Sequence, residues 1–225
     1  MVKVNKTILI TGCSSGVGLS IAKKFLQKNW NVIGLSRTKP EILNSRTDFK
    51  YYQCDIKDYD DVKKTFSKVL NIDVLVNNAS IFKSSPISKM DYKEINDIID
   101  TNLKGTIYCC KEALKKMSIG KIINISSVSG KHGINNQTIY SASKHGVNGF
   151  SYSLSQEYLE KNIDVTTICP GGIKTPLWNK NNPYDGDVNC LIDPNEIADL
   201  VYFISTSKNG TTIKNVTLFP NIEWH

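Results

Sequence analysis

The chain of 225 residues has few histidines and no cysteine pattern that could hold a metal ion. Its three histidines, at positions 132, 145 and 225, form no ligand cluster, and its six cysteines include no C-x-x-C pair. We therefore expect no metal site. Several cysteines lie in apolar stretches, so we expect buried free thiols in a reducing compartment such as the cytoplasm.

Long apolar runs are also missing. No segment approaches the roughly 20 apolar residues that span a bilayer. The start of the chain, MVKVNKTILITG, lacks a signal-peptide cleavage pattern and is predicted as a first strand. The sequence therefore predicts a cytoplasmic protein without membrane association.

The positive charge is not gathered into a block. The formal net charge is +7, but the lysines are scattered in ones and twos and no nucleic-acid motif is present. We expect no nucleic-acid partner, and a nucleic-acid-binding regulator stays an alternative that rests on charge alone. A positive field could still attract a phosphorylated cofactor.

What the sequence does contain is a regular alternation of apolar strands and amphipathic helices. The predicted strands are KTILITG, NVIGLSR, FKYYQCDI, DVLVNNA, GKIINISS, IDVTTICPG and NVTLFP, and long helices are predicted over 91–117 and 137–161. This pattern predicts an α/β fold: a single doubly wound Rossmann-type domain over 1–225 with a mostly parallel seven-stranded sheet. A ligand is expected outside the carboxyl ends of the strands.

A glycine-rich loop follows the first strand. The stretch TGCSSGVG contains Gly12, Gly16 and Gly18 in the order G-x-x-x-G-x-G, which departs from the usual dinucleotide pattern G-x-G-x-x-G. Glycines let the backbone turn tightly and approach a pyrophosphate, and the next helix offers its free N–H groups. The position of the loop between a strand and a helix favours a cofactor site.

A second signal is the stretch YSASK, which places Tyr140 and Lys144 four residues apart. On a helix these positions lie on one face, and the small residues between them leave room for a ligand. Other polar groups end predicted strands: NNAS at 77–80 on the fourth, Ser126 and Ser127 on the fifth, and the turn CPGGIKT on the sixth. Asn102 falls inside a predicted helix, where asparagine is a mediocre helix former, and from the helix alone we would expect an exposed polar residue.

These six elements, in this order and spacing, resemble the classical short-chain dehydrogenase/reductase (SDR) family over essentially the whole chain. The departure is Ser80, where the family usually has glycine. The resemblance implies a cofactor-binding part over about 1–130 and a catalytic and substrate part over about 131–225. It implies cofactor contacts from Gly12, Ser14, Ser15, Gly16, Val17, Gly18, Ser36, Arg37, Thr38, Asp55, Ile56, Asn78, Ala79, Tyr140, Lys144, Pro170, Gly171, Ile173 and Thr175.

The resemblance also implies the catalytic roles. Tyr140 is the expected general acid/base for hydride transfer between a nicotinamide and a carbonyl or alcohol carbon. Lys144 is expected to lower the pKa of Tyr140 and to bind the nicotinamide ribose. Ser127 is expected to orient the substrate oxygen, Asn102 to hold a water that links Lys144 to solvent, and Thr175 to bond the carboxamide.

The end of the second strand predicts the cofactor. It reads Ser36, Arg37, Thr38, with no acidic residue until Glu41. A basic residue here accommodates a 2′-phosphate, so NADP(H) is expected over NAD(H). Ser15 weakens this interpretation, because many relatives that prefer NADP carry a second basic residue there.

The sequence constrains the substrate and the oligomeric state less than it constrains the fold and the cofactor. The predicted substrate loop, PLWNKNNPYDGDVNCLID, is short and polar, which favours a small polar substrate such as a carbohydrate. The alternatives are a 3-oxoacyl-carrier-protein reductase, disfavoured because TLFPNIEWH lacks a glycine pair, and a catalytically silent cofactor-binding homologue. A sugar-nucleotide epimerase would need a larger C-terminal domain. The long helices carry surplus apolar residues, and relatives pair through them, so a homotetramer or homodimer is expected.

Overall fold

The predicted strands form one seven-stranded parallel sheet in the computed structural model, which describes residues 5–40, 43, 46–180, 182–208 and 211–221. The strand order is β3-β2-β1-β4-β5-β6-β7, and every neighbouring pair is parallel. The strands are β1 Thr7–Thr11, β2 Asn31–Ser36, β3 Phe49–Gln53, β4 Val74–Asn77, β5 Gly120–Ile125, β6 Ile163–Pro170 and β7 Asn215–Leu218. The expected doubly wound α/β fold is confirmed.

Helices cover both faces of this sheet. They are α1 Gly16–Gln27, α2 Tyr59–Phe66, α3 Tyr92–Ile99, α4 Gly105–Ala113, α5 Thr138–Glu157 and α6 Pro194–Thr206. Alternate residues of β1 point to opposite faces: Ile8 and Ile10 pack in the core beneath α1 and α6, and Leu9 packs in the core beneath α2, α4 and α5. Two-sided burial explains why the central strands β1 and β4 are mostly apolar.

Aspartate side chains cap the N-termini of three helices. The carboxylate of Asp58 accepts the N–H groups of Asp60 and Asp61 at the start of α2. Asp91 and Asp193 each form a capping box with a glutamate three residues later, at the starts of α3 and α6. These bonds satisfy N–H groups that a helix end would leave unpaired.

The long helix predicted over 91–117 is interrupted. A π-helical turn over Asp100–Lys104 separates α3 from α4, and α4 ends at Ala113. Within this turn the Asn102 carbonyl accepts the Thr106 hydroxyl at 2.9 Å. A Cβ on Gly105 would lie 2.7 Å from Ile56, so glycine lets the helix pack closely on the segment after β3. π-turns of this kind are common near functional sites. The other long helix is also shorter than predicted, because α5 ends at Glu157 and a short 3₁₀ turn follows.

The cysteines are mostly buried free thiols, as predicted from the sequence. All six are free thiols, and five of them are buried, with only Cys190 exposed. In the part of the chain that the structure describes, no helix is both long and apolar enough to cross a membrane.

The sheet order determines where a ligand can bind. From β1 the chain moves outward to β2 and β3, then returns to the other side of β1 to form β4. The loops that follow β1 and β4 therefore diverge and leave a crevice at the carboxyl edge of the sheet. The glycine loop and the NNAS segment lie at this crevice.

Candidate active site

The glycine loop after β1 is fixed by the polar segment after β4. The Thr11 hydroxyl accepts the main-chain N–H groups of Asn78 and Ala79, each at 3.0 Å. In return the Asn78 amide donates to the carbonyls of Thr11 and Gly12 at 3.0 and 3.1 Å. A Cβ on Gly18 would lie 2.2 Å from the Gly12 oxygen, so only glycine lets α1 pack this closely on the loop.

The loop also has a conformation that favours glycine. Gly12 and Gly16 have φ angles of +68° and +52°, in the left-handed region. Ser15 then begins α1 in an extended conformation and makes no side-chain cap bond. The first N–H groups of α1 therefore face the crevice, which suits a phosphate group.

A cleft of about 960 Å³ runs along the carboxyl ends of the strands. It brings together most of the residues predicted from the sequence: Gly12, Ser14, Ser15, Gly16, Val17, Ser36, Arg37, Thr38, Asp55, Ile56, Asn78, Ala79, Ser127, Tyr140, Lys144, Pro170, Gly171, Ile173 and Thr175. Gly18 and Asn102 do not line the cleft. Gly18 lies beneath the loop, and Asn102 is buried behind the wall, where it is 1% exposed.

One end of the cleft carries the residues predicted to meet the adenosine. Arg37 is exposed there, next to the buried Ser36, whose hydroxyl donates to the Thr38 carbonyl at 2.7 Å. Asp55, which follows β3, also lines the cleft. Glu41, the first acidic residue after Arg37 in the sequence, lies outside the described residues.

Tyr140 and Lys144 lie near the middle of the cleft on α5. Tyr140 is 8% exposed and Lys144 only 2%. The Lys144 ammonium donates to the Ile125 carbonyl at 3.0 Å and lies 5.6 Å from the centre of the Tyr140 ring. Ser127 follows β5 and lines the same cleft, so one hydroxyl, one phenol and one ammonium converge.

Burial dominates the protonation of this pair. It raises the pKa of Tyr140 to about 12, although hydrogen bonds with the Ser127 and Ser80 hydroxyls act in the opposite direction. It lowers the pKa of Lys144 to about 8. The Lys144 ammonium donates to the Ile125 carbonyl, and the expectation that it lowers the pKa of Tyr140 stays a prediction.

Asn102 is buried, although its position in a predicted helix suggested an exposed polar residue. Its side-chain oxygen accepts the Ile81 N–H at 2.8 Å and the Ser80 hydroxyl at 3.0 Å. Its amide nitrogen donates to the Ile81 carbonyl at 2.9 Å and to the Ser143 hydroxyl at 3.1 Å. All four hydrogen-bonding positions of the side chain are used, so a water would have to bind the main-chain carbonyl instead.

The far end of the cleft has a wall of aromatic rings that the sequence analysis only partly found. Phe82 packs edge-on against Tyr140 at 4.9 Å and against Trp178 at 5.3 Å, and Trp178 packs against Tyr184 at 5.0 Å between ring centres. Trp178 and Tyr184 lie in the predicted substrate loop. Phe82 was missed; its place just after the NNAS segment, at a strand end, was the available signal.

Further lining residues were also missed. Ile134 and Gln137 come from the segment before α5, and Asn182 and Asp185 come from the substrate loop. They stand in irregular segments, where no period in the sequence marks the side that faces a cleft.

Ser80 fits its position without strain. The described non-glycine residues with positive φ are Asn29, Asn136 and Asn162, so Ser80 has an ordinary backbone conformation. The glycine that relatives usually have here is therefore not required by this backbone.

Among the described residues, no group of three or more histidine, cysteine, aspartate or glutamate side chains could hold a metal ion. His145, next to Lys144 in sequence, has its Nδ1 atom 2.9 Å from the Ser141 carbonyl and does not line the cleft.

A doubly wound parallel sheet with a glycine loop at its crevice defines an α/β protein of the Rossmann type. The chain belongs to the short chain dehydrogenase family, whose sequence model matches residues 6–185.

Three similar proteins illustrate the relationship. The 3-oxoacyl-[acyl-carrier-protein] reductase FabG of Buchnera aphidicola is 35% identical over an alignment of 224 positions, and the match covers 90% of this chain and 91% of the relative. The structure of ElxO with NADP bound is 30% identical with a TM-score of 0.87, covering 96% of this chain and 97% of that one. The aldohexose dehydrogenase of Thermoplasma acidophilum is 28% identical with a TM-score of 0.84, covering 96% and 92%.

The depressed pKa of Lys144 predicts a pH-dependent cost to stability. Below pH 8 the ammonium is charged in both the folded and the unfolded chain, and its burial lowers the free energy of unfolding. Between pH 8 and the usual pKa of 10.5 the unfolded chain binds more protons, so the wild type gains stability as the pH rises. The variant Lys144→Met lacks this gain.

We expect the stability difference, Lys144→Met minus wild type, to fall by about 2–3 kcal/mol across this range, at about 1.36 kcal/mol for each pKa unit. Urea unfolding followed by circular dichroism at several pH values measures the difference. Tyr140 is present in both proteins, so its own titration cancels. Lys64→Met, which removes an exposed lysine, is the control and should follow the wild type. A difference that does not change with pH would contradict the prediction.

Proposed function

We propose that this chain is an NADP(H)-preferring oxidoreductase that transfers a hydride between the nicotinamide and a carbonyl or secondary alcohol of a small polar substrate. The observation that carries the proposal is the convergence of Tyr140, Ser127 and Lys144 in the same cleft as the glycine loop. Ser127 follows β5, and Tyr140 and Lys144 lie four residues apart on α5. Together they match the orienting, acid/base and cationic roles that this chemistry requires.

The cleft suits a dinucleotide. Gly12 and Gly16 hold the loop in a left-handed conformation, and a Cβ on Gly12 would lie 2.8 Å from the Cα of Ala79, so a larger residue would distort the loop that should carry the pyrophosphate. The residues that would hold the nicotinamide end are Lys144, Gly171 and Thr175. The bound cofactor supplies the hydride chemistry.

In the reducing direction Tyr140 would give its proton to the carbonyl oxygen. A pKa of about 12 keeps the phenol protonated at neutral pH, which suits a general acid. Ser127 would hold the carbonyl oxygen beside the phenol. Lys144, whose pKa of about 8 leaves it mostly charged at neutral pH, would stabilise the phenolate and help to return a proton to it.

The substrate end of the cleft supports a small, uncharged, polar substrate. Rings of Phe82, Trp178 and Tyr184 alternate with the polar side chains of Gln137 and Asn182. Beyond Lys144, the charged side chain among the described lining residues at this end is the carboxylate of Asp185. A carboxylate disfavours an anionic substrate.

A 3-oxoacyl-carrier-protein reductase is the second candidate, since FabG of Buchnera aphidicola is among the similar proteins. The acidic and aromatic character of the substrate end supports the small polar substrate more directly. A catalytically silent homologue is the third, and turnover distinguishes it. The free thiols support a reducing compartment such as the cytoplasm.

The first test removes the proposed acid/base. Tyr140→Phe deletes the transferable proton and keeps the ring packed against Phe82. We expect kcat, measured by NADPH oxidation with a panel of ketones and aldehydes, to fall about 10²–10⁴-fold. Binding of NADPH, measured by calorimetric titration, should change little.

Tyr158→Phe is the matched control, because Tyr158 ends the same helix and lies outside the cleft. It should keep wild-type turnover. If Tyr140→Phe stays within a few-fold of the wild type on a substrate that the wild type reduces, the role of Tyr140 is wrong.

The second test concerns the 2′-phosphate. A charged hydrogen bond contributes about 1.5–3 kcal/mol, so Arg37 should give NADPH an advantage over NADH on the order of 10–150-fold in Kd. We expect Arg37→Asp to remove or reverse this advantage, as measured by calorimetric titration with both cofactors.

The other arginine of the chain supplies the control. Arg46 pairs with Asp48 outside the cleft, so Arg46→Asp makes the same change in net charge away from the site. It should leave the preference unchanged. A wild type that binds NADH more tightly, or an unchanged preference in Arg37→Asp, would show that Arg37 does not read the phosphate.

We also propose that the chain assembles as a homodimer or homotetramer. Large apolar side chains remain exposed on the long helices and just after them: Tyr92 at 81%, Tyr152 at 52% and Leu159 at 62%. Static light scattering at about micromolar concentration should give a mass of two or four chains. Tyr152→Asp should lower that mass, and Leu70→Asp, at a 94% exposed residue away from these helices, should not. A wild-type monomer would contradict the proposal.

A further inference from the structure

Gln137 lies three residues before Tyr140, immediately before the first residue of α5, and lines the same cleft. Its main chain is held on both sides. The Gln137 N–H donates to the Ile134 carbonyl at 3.1 Å, and the Gln137 carbonyl accepts the Ser141 N–H at 2.7 Å. Residues three apart along a helix are neighbours, so Gln137 has a fixed place next to the proposed acid/base.

The side-chain amide of Gln137 is only half used. Its oxygen accepts the Ser129 hydroxyl at 2.9 Å, and Ser129 is a buried residue. Among the described residues none bonds its nitrogen, and this nitrogen is accessible rather than buried. An amide nitrogen carries two N–H groups, which leaves two donors available to a ligand in the cleft.

Ser129 links this amide to the proposed reaction centre. Its N–H donates to the Ser127 hydroxyl at 3.1 Å, while its own hydroxyl donates to the Gln137 oxygen. Ser127 is the residue proposed to hold the oxygen of the reacting carbonyl. One buried serine therefore joins the place proposed for the reacting oxygen to a second polar group on the same wall of the cleft.

We propose that Gln137 is a specificity-determining residue whose amide N–H groups bind a second oxygen atom of the substrate, near the carbonyl that is reduced. Ser129 is its positioning residue. This inference rests on the proposed function, because the reacting carbonyl must lie at Ser127 and Tyr140. It narrows the small polar substrate to a ketone or aldehyde that carries a neutral oxygen acceptor near the reacting carbon, such as a hydroxyl group or an ester carbonyl.

The chemistry of the amide explains this choice of substrate. The amide is uncharged, and with its oxygen bonded to Ser129 it can offer only donors. An oxygen acceptor pairs with an N–H group that loses its water when the substrate fills the cleft, whereas a methylene group in the same place leaves that donor unpaired. The Asp185 carboxylate lines the same end of the cleft and disfavours an anionic oxygen. No proton moves to or from Gln137, which only binds and orients.

Paired substrates measure this preference directly. Each oxygenated ketone of the panel is compared with an analogue in which a carbon group replaces the second oxygen: hydroxyacetone with butanone, and ethyl acetoacetate with 2-heptanone. The first pair tests a hydroxyl group and the second an ester carbonyl. We expect the wild type to favour the oxygenated member of at least one pair about tenfold in kcat/KM, as the loss of one hydrogen bond to a desolvated donor predicts.

Gln137→Glu keeps the size of the side chain and the acceptor for Ser129 but removes both N–H donors. Gln137→Met removes the polar atoms without adding a charge. We expect each variant to abolish the preference through the oxygenated ketone alone, and to raise its KM more than it lowers its kcat. Gln156→Glu makes the same chemical change at an exposed residue of α5 outside the cleft, and this control should keep the preference.

Ser129→Ala tests the positioning role. It deletes the hydroxyl that holds the Gln137 oxygen but keeps the main-chain N–H that is bonded to Ser127. We expect the preference to fall a few-fold, while the analogue that lacks the second oxygen is reduced as fast as before. Ser155→Ala, which deletes a buried hydroxyl bonded to the Tyr152 carbonyl outside the cleft, is its control. A purely structural defect would slow both members of a pair equally.

A preference that survives in both Gln137→Glu and Gln137→Met would overturn the inference, as would a wild type that reduces both members of every pair equally well. These failures differ from a failure of the proposed function. A wild type that reduces no carbonyl compound of the panel would refute the proposed function and this inference with it. Turnover without a preference would refute the role of Gln137 alone.

Discussion

The reciprocal hydrogen bonds between Thr11 and Asn78 are the contact on which the whole cleft depends. They join the carboxyl ends of β1 and β4, the two neighbouring strands whose loops diverge. On one side of this joint lies the glycine loop, and on the other lies the segment from Ser80 to Phe82. Because both are held to the same two strand ends, the proposed cofactor end and the proposed reaction centre share one rigid frame.

Burial then sets the chemistry of the site. Tyr140 and Lys144 are shifted in opposite directions by the same cause, since a low-dielectric surrounding disfavours phenolate and ammonium alike. The protein offsets part of this cost with the Ile125 carbonyl for the ammonium and with the hydroxyls of Ser80 and Ser127 for the phenol. A site built in this way keeps both groups poised to exchange protons and makes each hydrogen bond around them consequential.

The two ends of the cleft differ in their side chains. Arg37 and Asp55 lie at the end predicted for the adenosine, and the carboxylate of Asp185 lies beside the aromatic wall at the other end. One cleft therefore offers a cation and a carboxylate at its first end and aromatic rings with a carboxylate at its second.

Much of the architecture was predictable from the sequence, because strand and helix periods and strand-end residues are local features. The seven strands, the glycine loop and the pairing of Tyr140 with Lys144 on one helix follow from them. Tertiary structure alone decided the rest. The π-turn that buries Asn102, the place of Phe82 in the wall and the direction of the Lys144 ammonium all depend on contacts between segments distant in sequence. No pattern along the chain encodes such contacts, because they exist only once the sheet has brought the strand ends together.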